Sequence, residues 1–281
     1  MQILPPKEFS PYIKHYLFLE SSGDRHRTLR LFSDGNPGMV FLLDQEPLSS
    51  NPTHHLGCSF LYGQISHFKD IFLIEQASFV IIVFQPDGLY QLLGLPSHAL
   101  KDQFVTAIDV FGKSIVRLSD RLRRCAQRLD QVYTLNNFFS ELAFQRAFSS
   151  GNTLVQAVLP YVVQHKGLLS IEQLVRYSGY TERHLERLFA EQVGISPKKF
   201  VSTVQLHAFL KLLRSKPSMA NLTTICHESG YFDQSHLIKT FKKHTGITPS
   251  EYLHRANKIA VNFMEINDKP ARMSGFYNLS Q

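Results

Sequence analysis

The sequence lacks any long hydrophobic run. Its longest apolar stretches, residues 39–43 and 78–84, are far shorter than the roughly 20 residues that a helix needs to cross a bilayer. The first ten residues contain two prolines, a lysine and a glutamate, where a secretory signal needs continuous apolar sequence. We therefore expect a cytoplasmic protein with no membrane partner.

Cysteine is also scarce, and the three cysteines, Cys58, Cys125 and Cys226, form no Cys-x-x-Cys pair. This spacing argues against a disulfide framework and against a thiolate metal site, so we expect small buried apolar residues. The sequence also lacks a Gly-x-Ser-x-Gly elbow, a Walker loop and a Rossmann glycine fingerprint. It therefore predicts no enzyme, no cofactor and no metal.

Positive charge is present but unevenly distributed. Residues 1–151 hold 14 Lys and Arg against 14 Asp and Glu, whereas residues 152–260 hold 14 against 7. The last 21 residues are balanced, with two of each sign. The net charge of +7 thus comes entirely from one segment, which points to a polyanionic partner for that segment.

The basic segment contains an internal repeat. The tripeptide Ser-Gly-Tyr at 178–180 returns at 229–231, and the second copy has one extra residue between this tripeptide and the next helix. Further matched pairs are Leu185 with Leu237, Phe189 with Phe241, Gly194 with Gly246 and Pro197 with Pro249. Each copy is therefore expected to fold as the same supersecondary unit.

Capping signals predict two helices in each copy. In the first copy, Ser170 and Gln173 match a capping box, Gly179 supplies a left-handed exit, and Thr181 caps the second helix. Hydrophobic staples are predicted for Leu169 with Leu174, Tyr180 with Leu185 and Phe232 with Leu237. Two helices joined at a glycine form a helix-turn-helix.

The second copy carries equivalent signals of its own. Asp233 caps its second helix, Gly246 closes that helix, and Thr248 with Glu251 matches a capping box for the next. A helix from Pro197 to roughly residue 214 is predicted to connect the two copies rigidly. The preceding helix starts near residue 153. Where it ends stays open, because Pro160 interrupts or ends the helix only if it lies beyond the first turn.

The second helix of each copy presents polar side chains opposite its apolar stripe. The candidate DNA-binding residues are Glu182, Arg183, Glu186 and Arg187 in the first copy, Lys198 and Lys199 at the start of the connector, and Gln234, Ser235, His236, Lys239, Lys242 and Lys243 in the second.

Residues 152–256 resemble the DNA-binding domain of the AraC/XylS family of bacterial regulators, most closely at residues 229–252. The resemblance implies an all-α domain of seven helices, in which the third and sixth lie in successive major grooves of double-stranded DNA. In this sequence those helices are roughly 182–192 and 234–244. Glu182 and Glu186 depart from the family pattern. Their negative charges weaken the attraction of this helix to phosphate.

Side-chain chemistry suggests how such helices would read DNA. Gln234 suits a bidentate contact to adenine, and Arg183 or Arg187 suits guanine. The four paired lysines are expected to contact phosphate, which gives affinity without sequence information. Those are Lys198, Lys199, Lys242 and Lys243.

The N-terminal half is predicted to be mainly β structure up to about residue 113 and helical at 114–149. The β-prone runs are 16–19, 30–32, 39–43, 60–62, 72–74 and 78–84. Residues 32–35, 63–64 and 83–88 resemble a cupin-like N-terminal domain found on a subset of the same regulators. The helical stretch fits either a dimer seam or packing on the barrel. Five aromatic residues fit either core or an effector pocket, namely Phe60, Phe72, Phe79, Phe84 and Tyr90.

The predicted fold class is therefore an α+β multidomain protein. A β barrel or sandwich with C-terminal helices spans 1–150, an all-α domain with two helix-turn-helix motifs spans 151–260, and a tail spans 261–281. The predicted function is sequence-specific regulation of transcription, modulated by the N-terminal domain. The resemblance implies activation with RNA polymerase as partner, and a small-molecule effector and a homodimer are further candidates. The alternatives are a non-specific architectural DNA binder and an enzyme fused to the same DNA-binding domain.

Overall fold

The computed structural model describes residues 1–21, 27–43, 48–51, 54–73, 77–145, 153–215, 222–255 and 262–266. Within these ranges the chain forms an N-terminal domain of two antiparallel sheets with helices and a C-terminal domain of seven helices. No helix in them is long and apolar enough to span a membrane.

The strands of the described residues are short. They are β1 (Gln2–Ile3), β2 (Ile13–Ser21), β3 (Arg27–Leu31), β4 (Gly38–Leu42), β5 (Leu48–Asn51), β6 (His54–Gly57), β7 (Ser59–Tyr62), β8 (Lys69–Leu73), β9 (Ala77–Phe84), β10 (Phe104–Thr106) and β11 (Phe263–Ile266). One sheet has the order β1-β2-β9-β4-β7-β10, and the other has the order β11-β3-β8-β5-β6.

Strand β9 shows how the N-terminal core is organised. Side chains of successive strand residues point to opposite faces. On one face, Phe79 and Ile81 pack between the two sheets with residues of β2, β3, β4 and β8. On the other face, Val80, Ile82 and Phe84 pack against helices. Because β9 is buried on both faces, its residues 79–84 are continuously apolar rather than alternating.

Helices cover the outer face of the six-stranded sheet. They are α1 (Gly88–Leu93), α2 (Ala107–Phe111), α3 (Lys113–Arg124) and α4 (Arg128–Gln145), with a short 3₁₀ helix at Ser97–Leu100. The apolar side chains of α1, α3 and α4 join the core on that face of the sheet. Residues 146–149 of the predicted helical stretch lie outside the described residues.

The seven helices of the C-terminal domain confirm the predicted all-α fold. They are α5 (Thr153–Gln164), α6 (Ile171–Ser178), α7 (Glu182–Gln192), α8 (Pro197–Ser215), α9 (Leu222–Glu228), α10 (Gln234–Thr245) and α11 (Pro249–Arg255). Helix α5 continues through Pro160. The boundary that the sequence left open therefore lies beyond this proline.

Helix α8 belongs to both cores of this domain. Its first turns place Phe200 and Val201 in a core with α5, α6 and α7. Its later turns place Leu206, Phe209 and Leu213 in a second core with α9, α10 and α11. A single helix that is packed into both halves fixes their relative position, which agrees with the predicted rigid connector.

The chain returns to the N-terminal domain after the last helix. The sequence predicts a tail at 261–281, whereas residues 263–266 form strand β11 at the edge of the five-stranded sheet. Phe263 pairs with Leu31 and Ile266 with Thr28. The strand is held by this pairing and by burial of Phe263 and Met264. A run of four residues gives too weak a pattern for a strand to be expected.

The six β-prone runs coincide with β2, β3, β4, β7, β8 and β9, although Ile74 lies outside the described residues. Three of the five aromatic residues are buried in the cores, namely Phe60, Phe79 and Phe84. Phe72 is 42% exposed, and Tyr90 faces the C-terminal domain. These five residues therefore form no common pocket.

Candidate nucleic-acid interface

The first helix-turn-helix unit consists of α6 and α7. Ser170 Oγ accepts a hydrogen bond from the Gln173 amide at 3.2 Å, and Gln173 Oε1 accepts one from the Ser170 amide at 2.8 Å. Gly179 ends α6 with a φ of 72°, a left-handed conformation that glycine adopts without a Cβ penalty. Thr181 Oγ1 then accepts from the His184 amide at 3.3 Å and starts α7. The predicted caps and turn are confirmed.

The second unit consists of α9 and α10 and repeats this local chemistry. Gly230 lies in the turn with a φ of 71°, and Asp233 Oδ1 accepts from the His236 amide at 2.7 Å to start α10. Gly246 ends α10. Thr248 and Glu251 exchange hydrogen bonds of 2.7 and 3.2 Å at the start of α11. These predictions are confirmed as well.

The apolar stripes of α7 and α10 face inward. Leu185, Phe189, Leu237 and Phe241 are all fully buried. Most of the polar candidates face solvent instead. Those that are exposed are Glu182, Arg183, Arg187, Lys198, Ser235, His236, Lys239, Lys242 and Lys243, and those that are half-buried are Glu186, Lys199 and Gln234.

The charges on the two helices differ. Arg187 lies 3.6 Å from Glu191 one turn along α7, with its side chain 62% exposed. Such exposed pairs contribute little to stability, so the guanidinium can exchange this partner for another. Burial, and then the nearby Glu182, raise the pKa of the Glu186 carboxyl. Helix α10 carries three lysines and no acid.

Lys199 does not face outward with the other candidates. Its Nζ lies 3.4 Å from the backbone oxygen of Ser66 and 3.2 Å from Nε2 of His244. Burial, followed by repulsion from Lys243, lowers the pKa of its ammonium group. The side chain stands between the two domains because the first turn of α8 faces the loop after β7. It therefore binds the N-terminal domain in this structure, where the sequence predicted a phosphate contact.

Gln234 is also engaged inside its own unit. Its Nε2 donates to Thr223 Oγ1 on α9. One of its amide protons is thus used to brace the first helix of the unit against the second. A bidentate contact to adenine, as the sequence predicted, requires this side chain to leave Thr223.

Two of the three predicted staples are wrong. Leu169 does pack beside Leu174 in the core of the first unit. Tyr180, however, is 48% exposed and stacks on His184 at 4.9 Å. Phe232 is 87% exposed, because Tyr231 occupies the core position beside Leu237.

A family model described as a helix-turn-helix domain matches residues 174–255, which cover most of both units. A second model, a domain of unknown function (DUF6597), matches residues 1–106. Residues 174–255 thus form a helix-turn-helix domain of the AraC type.

The curated relatives of this chain are distant. An uncharacterized HTH-type transcriptional regulator of Staphylococcus aureus is 25% identical over 209 residues, which cover 65% of this chain and 28% of that protein. The lactose operon transcription activator of Staphylococcus xylosus is 26% identical over 167 residues, covering 56% and 59%. The chain thus spans little more than a quarter of the length of its Staphylococcus aureus relative.

A solved structure shares the arrangement of domains. ToxT from Vibrio cholerae O395, bound to (E)-4-(8-methylnaphthalen-1-yl)but-3-enoic acid, matches 85% of this chain and 97% of its own length. The TM-score is 0.50 at 12% sequence identity. At this identity the likeness concerns the fold alone.

Polar contacts join the N-terminal domain to the first unit. Ser97 Oγ donates to the backbone oxygen of Gln192 at 2.8 Å, and Tyr90 donates to the Glu191 carboxylate at 3.1 Å. Gly194 follows at a φ of 93°, where a Cβ would lie 2.7 Å from the backbone oxygen of Ser97. The C-terminal end of α7 is thus covered, whereas Glu182 and Arg183 at its N-terminal end are exposed.

The second unit is joined to the N-terminal domain by an apolar side chain. Phe32, directly after β3, is fully buried in the core of α8 to α11, and its ring meets Tyr252 edge to face. Arg30 pairs with Asp70 through two 2.7 Å hydrogen bonds and lies 3.8 Å over the ring of Phe68. No local sequence pattern marks Phe32 as a contact between domains.

Proposed function

We propose that this protein is a transcription regulator that binds a specific DNA sequence by placing α7 and α10 in successive major grooves on one side of the duplex. The observation that carries the proposal is the pair of equivalent helices, each with a buried apolar stripe and an exposed polar face, on one connector that is packed into both cores. Recognition helices on such a connector address groove segments about 34 Å apart.

The exposed side chains divide into two classes by chemistry. Arg183 and Arg187 can donate two hydrogen bonds to the edge of guanine, which discriminates against other bases by about 1–3 kcal/mol each. Lys198, Lys242 and Lys243 supply phosphate contacts, which add affinity for any sequence. Ser235, His236 and Lys239 lie on the exposed face of α10 and complete the candidate surface.

Selection of bound fragments from a random DNA pool tests this proposal. We expect one recovered motif with two half-sites about one helical turn apart. Arg187→Ala is expected to relax the preference at one position of the α7 half-site. Arg176→Ala, which removes an exposed arginine from α6, serves as the matched control and should leave the base preferences unchanged.

Equal binding of selected and scrambled sites, with a steep dependence on salt, would instead indicate the non-specific architectural binder. Unchanged base preferences in Arg187→Ala would remove this residue from the proposed readout. The proposal assigns no catalytic activity to the chain.

We further propose that the N-terminal domain controls the geometry of the two units. The support is its separate contacts to each of them, through Ser97 and Phe32. A cavity of about 430 Å³ lies where the domains meet, lined among others by Lys14, Asp34 and His207. It is our candidate site for a small-molecule effector, and repeating the selection with small-molecule cell extract tests for one.

Activation in the cytoplasm, with RNA polymerase as a partner, completes the proposal. The name of the Staphylococcus xylosus relative, a transcription activator, supports the direction of control. Exposed apolar side chains on α4 support a homodimer, because Leu129, Tyr133 and Phe144 are 62%, 68% and 92% exposed and lie on one side of the helix.

A further inference from the structure

Phe232 is an exposed aromatic residue at the entrance to the second recognition helix. It is the extra residue that separates the turn from the helix in the second copy of the repeat. Its side chain is 87% exposed, whereas the neighbouring Tyr231 is 4% exposed. Since Tyr231 packs into the core, Phe232 points away from it.

The position of Phe232 is defined by the helix start. The next residue, Asp233, is the N-cap of α10 and accepts from the His236 amide at 2.7 Å. In helix-turn-helix proteins the N-terminal residues of the recognition helix contact the base edges. Phe232 therefore stands at the end of α10 that enters the groove.

The first unit offers no comparable apolar side chain at this place. Tyr180, which precedes the N-cap Thr181, stacks on the His184 ring with an interplanar angle of 16°. Its ring thus has a partner within its own unit. Phe232 is different, because none of the described ring contacts involves it and burial in the second unit is already provided by Tyr231.

We propose that Phe232 recognises thymine by packing against its 5-methyl group in the major groove. The 5-methyl is the apolar feature that distinguishes thymine in this groove, and phenylalanine is among the side chains that contact it. The lysines of α10 hold the nearby phosphates, so the ring is brought to the groove by charges that carry no sequence information. This inference rests on the proposed DNA-binding function.

Replacing thymine by deoxyuridine tests the contact, because it removes only the methyl group. Each thymine of the α10 half-site in the selected motif is replaced in turn, and binding is measured by fluorescence anisotropy with the full chain. For the unaltered protein we expect a loss of about fourfold in affinity at one position, since burying one methyl-sized group contributes about 0.8 kcal/mol.

The variant Phe232→Ala should bind the thymine site more weakly and bind the thymine and deoxyuridine sites equally. Phe72→Ala removes a 42% exposed phenylalanine from the N-terminal domain and should keep the fourfold difference. Because Phe232 is so exposed, its variant is expected to unfold at the same urea concentration as the original chain.

A selected motif at which no thymine responds to loss of its methyl group would overturn the role of Phe232 and leave the proposed function standing. A Phe232→Ala variant that still distinguishes thymine from deoxyuridine would do the same. If the pool yields no preferred motif, the proposed function fails, and the inference fails with it.

Discussion

The two helix-turn-helix units have the same local design but differ in their main contacts with the N-terminal domain. The first unit is held through hydrogen bonds at the end of α7, from Ser97 and Tyr90. The second unit receives the fully buried ring of Phe32 in its core, and the chain beyond it returns as β11. Burying a phenylalanine contributes about 1.5–3 kcal/mol and a hydrogen bond about 0.5–1.5 kcal/mol, so we expect the second unit to be coupled at least as strongly as the first.

The recognition helices also differ in charge. Helix α7 carries two arginines among three glutamates, whereas α10 carries three lysines and no acid. Attraction to phosphate should therefore come mainly from the second unit. The first unit is better suited to discrimination, because its glutamates oppose indiscriminate binding to a polyanion.

The largest expected effect is that of Phe32→Ala. Removing a fully buried phenylalanine leaves a cavity and typically costs about 3–5 kcal/mol. We expect the free energy of unfolding of the full chain to fall by this amount in urea titrations. Ser97→Ala, which removes a single hydrogen bond to the first unit, should cost about 1 kcal/mol.

Equal losses for these two variants would break the comparison, because they would mean that both units are coupled alike. The variant Phe32→Leu tests whether apolar burial causes the larger loss. Leucine keeps most of the apolar volume, so this variant should recover more than half of the loss if burial in the second core is the cause.

A second difference concerns the end of each recognition helix. His244 of α10 and Gln192 of α7 occupy equivalent positions of the repeat, and both are 3% exposed. Burial lowers the pKa of His244 from 6.5 to about 4, and the neighbouring Lys199, His67 and Lys243 act in the same direction. Only the second unit thus contains a titratable group at this buried site.

The pH dependence of stability follows from this pKa. Between pH 6.5 and 4 the unfolded chain binds a proton at His244 that the folded chain does not bind, so acid favours unfolding. The contribution of neutral His244 to the free energy of unfolding is fully present above pH 6.5, and it falls by up to about 3 kcal/mol as the pH approaches 4. His244→Gln should therefore lose less stability on acidification, as measured by urea unfolding at pH 7.5 and 5.

Other partly buried histidines act in the same direction and are unchanged in this variant. Burial also lowers the pKa of His15 and His207 to about 4. The original chain and the variant should therefore both lose stability in acid, with the difference between them assigned to His244. Parallel pH profiles would show that the two helix ends do not differ in this way.

Local signals explain why the sequence predicted the caps, turns and stripes of both units. The Ser170 capping box and the glycine at 179 act within a few residues of themselves, so their effect can be deduced from neighbours in the chain. The predicted staple at Phe232 is wrong because Tyr231 occupies that core position instead. Choosing between adjacent aromatic residues requires knowledge of the core.

Contacts between distant segments could not be predicted in this way. Three such contacts depend on how the domains dock: the burial of Phe32 in the second core, the hydrogen bond of Lys199 to Ser66, and the pairing of β11 with β3. Docking depends on complementary surfaces rather than on periodicity. The caps, turns and apolar stripes of both units were therefore predicted well, whereas their contacts with the N-terminal domain were not.

The smallest expected effect concerns charge, and it tests the division between affinity and discrimination. The double variant Lys242→Gln, Lys243→Gln should weaken binding to selected and random DNA alike, by roughly tenfold at moderate salt. The slope of log affinity against log salt should fall in magnitude by about 2, because two phosphate contacts are lost. Lys113→Gln, in the exposed first turn of α3, should leave the slope unchanged.

The matched change in the first unit is Glu182→Gln with Glu186→Gln. If these carboxylates oppose indiscriminate binding, their removal should raise affinity for random DNA more than for the selected site, so specificity falls while the salt slope changes little. A lysine pair whose loss lowers specificity, or a glutamate pair whose loss changes the slope by as much as the lysines do, would reverse the roles assigned to the two units.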